Sequence, residues 1–246
     1  MEQARPFLTA EWRWLALLQF EVPARLLEPL LPSGTELDRW RDRLLVSLVG
    51  FRFLRTRVLG IPVPMHRDFT EINLRFYVRA RGPEGWRRGV VFIREFVPRA
   101  AIALVARAVY NEPYRALPMR HSIEIGSDGG RVHYEWSLGG RWHAVSAATS
   151  GPCEPLAEGT EAQFVAEHYW GYTRQRDGAT VEYRVRHPSW RAWRATGSVH
   201  GDPALAYGPA FGEVLCCPPV SAYLAEGSAV GVLAPRRLPA TGRLHP

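Results

Sequence analysis

The sequence contains no lysine, and its 31 basic side chains are all arginine. A guanidinium group stays protonated at any accessible pH and cannot form an imine with a carbonyl compound. The absence therefore excludes Schiff-base chemistry, in which a lysine amine attacks a ketone, at any side chain of this protein.

Cysteine is also scarce: the chain has three, Cys153 and the adjacent Cys216 and Cys217. The odd count, the lack of a Cys-x-x-Cys motif and the lack of a signal peptide predict a reduced, cytoplasmic protein. The eight histidines show no ligand spacing beside the cysteines, so we predict no metal site. We interpret Cys216 and Cys217 as a buried strand pair followed by a turn at Pro218-Pro219.

Motifs for cofactors, nucleic acids and membranes are missing as well. There is no glycine-rich phosphate loop, so we predict no cofactor. No apolar run is long enough to cross a bilayer. The net charge of +7 would suit an anionic partner, but the arginines are scattered and no nucleic-acid-binding signature occurs. We therefore predict neither a nucleic-acid nor a membrane partner.

The chain shows no linker-like run between positions 20 and 235, which predicts one domain over residues 1–246 with a loose tail after about residue 235. The periodicity of apolar residues predicts an α+β protein in which antiparallel strands dominate. Besides the segments described below, we predict strands over 11–20, 44–54, 122–125, 131–137, 142–147, 169–174, 180–185, 192–200 and 230–233, and short helices over 24–31 and 161–167.

The segment from Phe69 to Arg79 has the clearest pattern. Polar Glu71, Asn73, Arg75, Tyr77 and Arg79 alternate with apolar residues, as in a strand with one apolar and one polar face. Two interpretations remain open, because such a polar row is typical of a solvated sheet face but can also line a ligand cavity. Glu71 is accordingly either paired with Arg75 or part of a pocket.

A second strand is predicted over 89–97, followed by a helix. Ile102, Val105, Ala106 and Val109 fall at i, i+3, i+4 and i+7, and so place one apolar stripe on a helix of about three turns. We expect this stripe to pack in the core and Pro113 to end the helix.

Several segments carry a family resemblance. Phe69-Thr70-Glu71-Ile72-Asn73-Leu74-Arg75-Phe76-Tyr77-Val78, Gly89-Val90-Val91-Phe92, Ala106-Arg107, Glu112-Pro113-Tyr114-Arg115-Ala116, Glu167-His168-Tyr169 and His187-Pro188-Ser189-Trp190 follow one another in this order. Over roughly residues 10 to 235 the chain resembles the YqjF-like family of uncharacterised bacterial proteins, a branch similar to the acetoacetate-decarboxylase-like superfamily. This resemblance implies a curved sheet or barrel with a few short helices, and association into a homo-oligomer.

The resemblance also has implications for individual residues. Acetoacetate decarboxylase carries a lysine pair directly after the proline that follows the helix; here Tyr114 stands at the nucleophile position and Arg115 beside it. Glu71 matches an active-site glutamate, and Arg13 matches an arginine that holds the substrate carboxylate. A second glutamate is replaced near Ser47. The pocket is thus expected to persist without its covalent chemistry.

Two functions remain open. The first is a pocket for a small carboxylate or carbonyl compound, with Glu71 and Tyr114 as catalytic candidates and Arg13, Arg75 and Arg115 as substrate-binding candidates. The second is a non-catalytic binding or assembly protein that retains only the scaffold. A closed cavity larger than about 300 Å³ lined by Glu71, Tyr114 and an arginine would favour the first. A cavity filled by tryptophan or phenylalanine would favour the second.

Overall fold

The computed structural model of the protein describes residues 5–238, apart from the side chains of residues 105 and 106. One sheet of fifteen strands dominates these residues, accompanied by five short α-helices. The strands are β1 (Leu8–Glu21), β2 (Thr35–Leu37), β3 (Leu45–Val58), β4 (Ile61–Pro62), β5 (Phe69–Gly82), β6 (Gly85–Val97), β7 (Tyr114–Ala116), β8 (Met119–Gly126), β9 (Gly129–Leu138), β10 (Arg141–Pro155), β11 (Trp170–Arg174), β12 (Thr180–Arg186), β13 (Arg191–His200), β14 (Ser221–Val232) and β15 (Arg236–Arg237). The helices are α1 (Ala24–Leu27), α2 (Ala100–Tyr110), α3 (Glu161–Ala166), α4 (Pro203–Tyr207) and α5 (Pro209–Leu215).

Seven of these strands close into a ring. Their order is β12, β11, β6, β5, β3, β1 and β14, and β14 pairs again with β12 through Val185 opposite Val232. All neighbours in the ring are antiparallel except β6 and β11, which run parallel. The predicted α+β fold, dominated by antiparallel strands and with few short helices, is confirmed.

The sheet continues beyond the ring through β13, β10, β9 and β8. Apolar residues of this extension, such as Tyr134 and Trp136, pack against Ile72, Leu74 and Phe76 on the outer face of β5. Because this large core covers the apolar face of β5, the polar face must point into the ring.

The polar row of β5 is accordingly buried. Glu71, Asn73 and Tyr77 are at most 3% exposed, and Arg75 is half-buried. Of the two interpretations that the alternation left open, the solvated sheet face is therefore wrong for this part of the strand.

Strand β1 changes its inward face at a bulge. Trp14 has a φ of 54°, and between two paired positions β1 uses one residue more than β3. An extra residue moves the side chains that follow to the opposite face. Trp12 and Leu15 consequently both point into the ring, whereas Arg13 points away from it.

Some predicted elements need correction. Helix α2 ends at Tyr110 rather than at Pro113, because Asn111 adopts a left-handed conformation with a φ of 57°. Helices α4 and α5 were not predicted from the periodicity. Cys216 and Cys217 follow α5 and are exposed, so the interpretation as a buried strand pair is wrong.

Two residues of the predicted tail form a strand. Arg236 and Arg237 form β15 against β12, so the prediction of a loose tail is wrong for these two residues. Residues 239–246 of that predicted tail lie outside the described residues. Within 5–238, no helix combines the length and the apolar character that a membrane crossing requires.

Candidate functional site

A cavity of about 230 Å³ lies inside the ring, and all seven ring strands contribute side chains to its wall. Much of the wall is aromatic, with Trp12, Phe51, Phe53, Phe69 and Phe92. The wall includes Glu71, Tyr114 and Arg75, as the pocket interpretation requires, but the volume is below the roughly 300 Å³ that it also requires and at which pockets for drug-sized ligands begin. The cavity is thus suited to a ligand of few non-hydrogen atoms.

Glu71 and Tyr114 meet in this cavity. The Tyr114 hydroxyl donates a hydrogen bond to Glu71 Oε2 at 3.1 Å, and Asn73 Nδ2 donates to Oε1 at 3.1 Å. Arg75 Nη2 instead donates to the Val165 carbonyl at 3.0 Å. Burial raises the pKa of Glu71 to about 7, although both hydrogen bonds and the charge of Arg75 act to lower it.

The register of three neighbouring strands explains this meeting. Asn73 of β5 lies opposite Glu95 of β6, and Glu95 lies opposite Tyr114 of β7. Directly opposed residues point to the same face of a sheet, so the three side chains form one row across the strands. Tyr114 thereby reaches Glu71, which lies two residues before Asn73 on the same face.

Two further carboxyl groups belong to this site, and sequence reasoning missed both. Glu112 lines the cavity and accepts a hydrogen bond from the Tyr183 hydroxyl. Burial raises the pKa of Glu112 to about 8, with a contribution from the nearby Glu71. Glu95 is completely buried, and among the described residues neither of its carboxyl oxygens has a hydrogen-bond partner.

Glu95 is kept neutral by its surroundings. Burial raises its pKa well above the usual range, and the neighbouring Glu112 and Glu71 raise it further, whereas the Tyr114 hydroxyl acts to lower it. Several carboxylates that share an apolar site cannot all be ionised, because each charge disfavours the next. The cluster of Glu71, Glu95 and Glu112, here called the carboxyl cluster, therefore holds protons at neutral pH.

A glycine makes room for one partner of the carboxyl cluster. A Cβ atom on Gly171 would lie 2.1 Å from the ring carbon Cζ of Tyr183. Any side chain at position 171 would therefore displace the phenol that donates to Glu112.

Sequence features could have pointed to both missed carboxyl groups. Glu112 lies in the same segment as Tyr114, and Glu95 lies beside the apolar residues Phe96 and Val97.

A histidine lines another part of the cavity wall. The His168 ring lies 4.6 Å from the Tyr77 ring, measured between centroids. His168 Nε2 donates to Asp38 Oδ2 at 3.2 Å, and Arg88 Nε donates to the same oxygen at 2.6 Å. Burial lowers the pKa of His168 to about 4, so its ring is neutral at neutral pH.

Two predicted substrate-binding residues lie outside the cavity. Arg13 forms an ion pair with Glu11 at 2.9 Å on the outer side of β1, because Trp12 takes the inward position beside it. Arg115 is exposed, because its neighbour Tyr114 points inward. Arg13 and Arg115 therefore do not line this cavity, whereas Glu71, Tyr114 and Arg75 do.

Ser47 stands where the resemblance implied a lost glutamate, and its side chain is buried. The Ser47 hydroxyl forms hydrogen bonds with Gln19 Oε1 and with the Tyr77 hydroxyl. The carboxyl groups that line the cavity are instead Glu71 of β5 and Glu112, which lies before β7.

The fold is similar to that of solved enzymes. The chain is similar to acetoacetate decarboxylase from Legionella pneumophila subsp. pneumophila str. Philadelphia 1, with a TM-score of 0.68 and 17% identity over 97% of this chain and 89% of that one. It is also similar to the enduracididine biosynthesis enzyme MppR complexed with pyruvate, with a TM-score of 0.69 and 14% identity over 98% and 93% of the two chains. These likenesses define an acetoacetate-decarboxylase-like fold.

The sequence comparison defines the family. The family DUF2071, described as an uncharacterized conserved protein, matches residues 9–229, and the chain belongs to this family. The uncharacterized protein YqjF of Bacillus subtilis (strain 168) is 24% identical over 194 residues, which is 76% of each chain. The resemblance to the YqjF-like branch of the superfamily is confirmed.

Proposed function

We propose that the cavity binds a small carbonyl compound that carries a carboxylate, and that Glu71 moves a proton at the carbon next to the carbonyl. The observation that carries this proposal is the buried contact between Glu71 and the Tyr114 hydroxyl. A carboxyl group whose pKa lies near 7 is partly ionised at neutral pH, and such a group is well matched to general acid–base work.

The hydrogen bonds of two cavity carboxyls indicate their roles. Glu71 accepts from Asn73 and Tyr114, which stabilise its ionised form, so it is the base that removes a proton from carbon, and the electrons of the broken C–H bond form the C=C bond of an enol. Glu112 accepts one hydrogen bond, and burial raises its pKa above the usual range, so it is the acid that protonates the carbonyl oxygen. Tyr114 holds the Glu71 carboxylate, and Arg75 supplies the charge that attracts the ligand carboxylate.

This route requires no imine, which suits a chain without lysine. Pyruvate is an appropriate probe, because it is a small oxo acid and because the similar enzyme MppR is described as complexed with it. Removal of a methyl proton from pyruvate and its return from solvent leave the compound unchanged except for its hydrogen isotopes.

Exchange of the pyruvate methyl protons in D₂O, followed by proton NMR, tests the proposal. We expect the protein to accelerate the exchange, and we expect Glu71→Gln to slow the catalysed exchange by about 100-fold or more. Arg115→Gln is the matched control, because Arg115 adjoins Tyr114 but is exposed. Its exchange rate should equal that of the wild type.

The alternative is a binding protein without catalysis, and the aromatic wall formed by Trp12, Phe51 and Phe53 favours it. Binding of pyruvate with no acceleration of exchange would support this alternative. Catalysed exchange that survives Glu71→Gln would reject the role proposed for Glu71.

A further inference from the structure

Six residues that line the cavity carry a buried polar atom with no hydrogen-bond partner among the described residues. The atoms are Nε1 of Trp12, Oγ1 of Thr56, Oδ1 of Asn73, Nε of Arg75, the hydroxyl oxygen of Tyr110 and Nδ1 of His168. Two of these residues, Arg75 and His168, lie against the same ring, that of Tyr77. Buried polar atoms in folded proteins normally have a partner, so these atoms indicate which groups a ligand would present.

The hydrogen-bonding role of His168 Nδ1 follows from its neighbours. Burial opposes ionisation of Asp38, but hydrogen bonds from His168 and Arg88 lower the pKa of Asp38 below its usual value. An ionised carboxylate can only accept hydrogen bonds, so the single ring proton of the neutral His168 lies on Nε2. Nδ1 is therefore an acceptor and requires a donor.

Arg75 has the opposite requirement. Its guanidinium group has only N–H donors, and Nη2 is occupied by the Val165 carbonyl. Nε–H remains available to an acceptor, and a carboxylate is the preferred one because both partners are then charged. The wall near Arg75 and His168 thus offers one cationic donor and one neutral acceptor.

We infer that the ligand is a small carboxylic acid with a hydroxyl group, whose carboxylate accepts from Arg75 and whose hydroxyl donates to His168 Nδ1. This inference rests on the proposed function and specifies its ligand class. An oxo acid has the required donor only in its enol form, so His168 would favour the enol of the proposed reaction over the ketone. Asp38 acts through His168 as a positioning residue, since it fixes which ring nitrogen accepts.

Affinities for lactate and propionate test the inference, because these acids differ only in the hydroxyl group. We expect the wild type to bind lactate about tenfold more tightly than propionate, because one hydrogen bond to a buried acceptor contributes about this factor to the affinity. In His168→Phe the ring is kept but the acceptor is lost, so the preference should disappear while the affinity for propionate stays the same. His187→Phe is the matched control, since His187 stacks on Trp190 outside the cavity, and should keep the preference.

Nitrogen-15 NMR of the wild type gives a second reading that does not depend on a variant. We expect Nδ1 of His168 to be unprotonated and its chemical shift to change with lactate but not with propionate. Equal affinities for the two acids, a protonated Nδ1, or a lactate preference that persists in His168→Phe would each overturn the inference. If His168→Phe does not fold, the chemical shift decides.

The two proposals fail in different ways. Equal binding of lactate and propionate overturns the role of His168 but leaves the exchange of pyruvate protons by Glu71 intact. Exchange that is insensitive to Glu71→Gln overturns the proposed reaction but leaves the lactate preference intact. Failure of both acids to bind would overturn the inference together with the carboxylate class of the ligand.

Discussion

The same sheet buries carboxyl groups in two contrasting ways. Glu182 on β12 is 1% exposed and pairs with Arg87 Nη1 at 2.7 Å, and Arg236 also contacts it. Arg87 itself is 8% exposed and is held from its other side by Glu84. The carboxyl cluster in the cavity receives hydrogen bonds only from phenol and amide groups, and no arginine forms an ion pair with it among residues 5–238.

This difference separates structural carboxylates from chemically useful ones. A buried charge that is fully paired is held in its ionised form and resists changes in protonation. A buried carboxyl group without a counter-ion keeps its proton to near neutral pH, as in sites that transfer protons. The contrast can be tested by removing partners at each site.

The largest expected effect is at the paired site. Arg87→Met leaves the Glu182 carboxylate buried with one partner fewer, and we expect the free energy of unfolding to fall by about 3 kcal/mol or more. Urea denaturation at pH 7 measures it. Arg236→Met is the control and should lower the free energy of unfolding by less, because the Arg236 side chain is 58% exposed. A cost for Arg87→Met no larger than that for Arg236→Met would contradict the comparison.

The next effect is the pH dependence of stability at the carboxyl cluster. Glu71 and Glu112 have an ordinary pKa of 4.5 in the unfolded chain and about 7 and 8 in the folded protein. The unfolded chain therefore releases these protons first, and the free energy of unfolding should fall as the pH rises from 4.5 towards 8. His168 opposes this trend only below its ordinary pKa of 6.5.

Glu112→Gln isolates the contribution of one group to this slope. Between pH 6.5 and 8 the variant should lose about 1.5 kcal/mol less stability than the wild type, as determined by urea denaturation at several pH values. Glu213→Gln, at an exposed position, should keep the wild-type slope. An unchanged slope in Glu112→Gln would show that Glu112 does not bind a proton in this range.

A smaller effect is expected at the hydrogen bond between Tyr114 and Glu71. This bond lowers the pKa of Glu71, so Tyr114→Phe should raise that pKa by about one unit. Carbon-13 NMR titration of labelled glutamate side chains would detect the shift. Tyr110→Phe is the control, because the Tyr110 hydroxyl has no partner among the described residues. Equal titration curves for the wild type and Tyr114→Phe would refute the contact.

The smallest effect is expected at Glu95. If Glu95 is neutral at pH 7, Glu95→Gln replaces one uncharged group with another and should change the free energy of unfolding by less than about 1 kcal/mol. Glu182→Gln, which removes a paired charge, should cost more in the same denaturation experiment. A larger loss of free energy of unfolding in Glu95→Gln than in Glu182→Gln would mean that Glu95 is ionised.

Part of this arrangement is readable in the sequence, because it depends on local order. The missing lysine excludes imine formation at a side chain, and the alternation from Phe69 to Arg79 predicts β5 and its two faces. Strict period-2 alternation defines the faces of a strand whatever surrounds it. The six segments, taken in their order along the chain, similarly indicate the family, and the one with Tyr114 indicates the position where a nucleophile is replaced.

The tertiary structure alone decided which face of β5 is inside and which groups meet there. The bulge at Trp14 turns Arg13 away from the cavity, and no local sequence pattern predicts this bulge. His168 and Asp38 are 130 residues apart in sequence, and the fold brings them within hydrogen-bonding distance, with His168 at the cavity wall. The proton affinity of Glu71 depends on desolvation and on neighbours from other strands, which are properties of the packed ring and not of any segment of the chain.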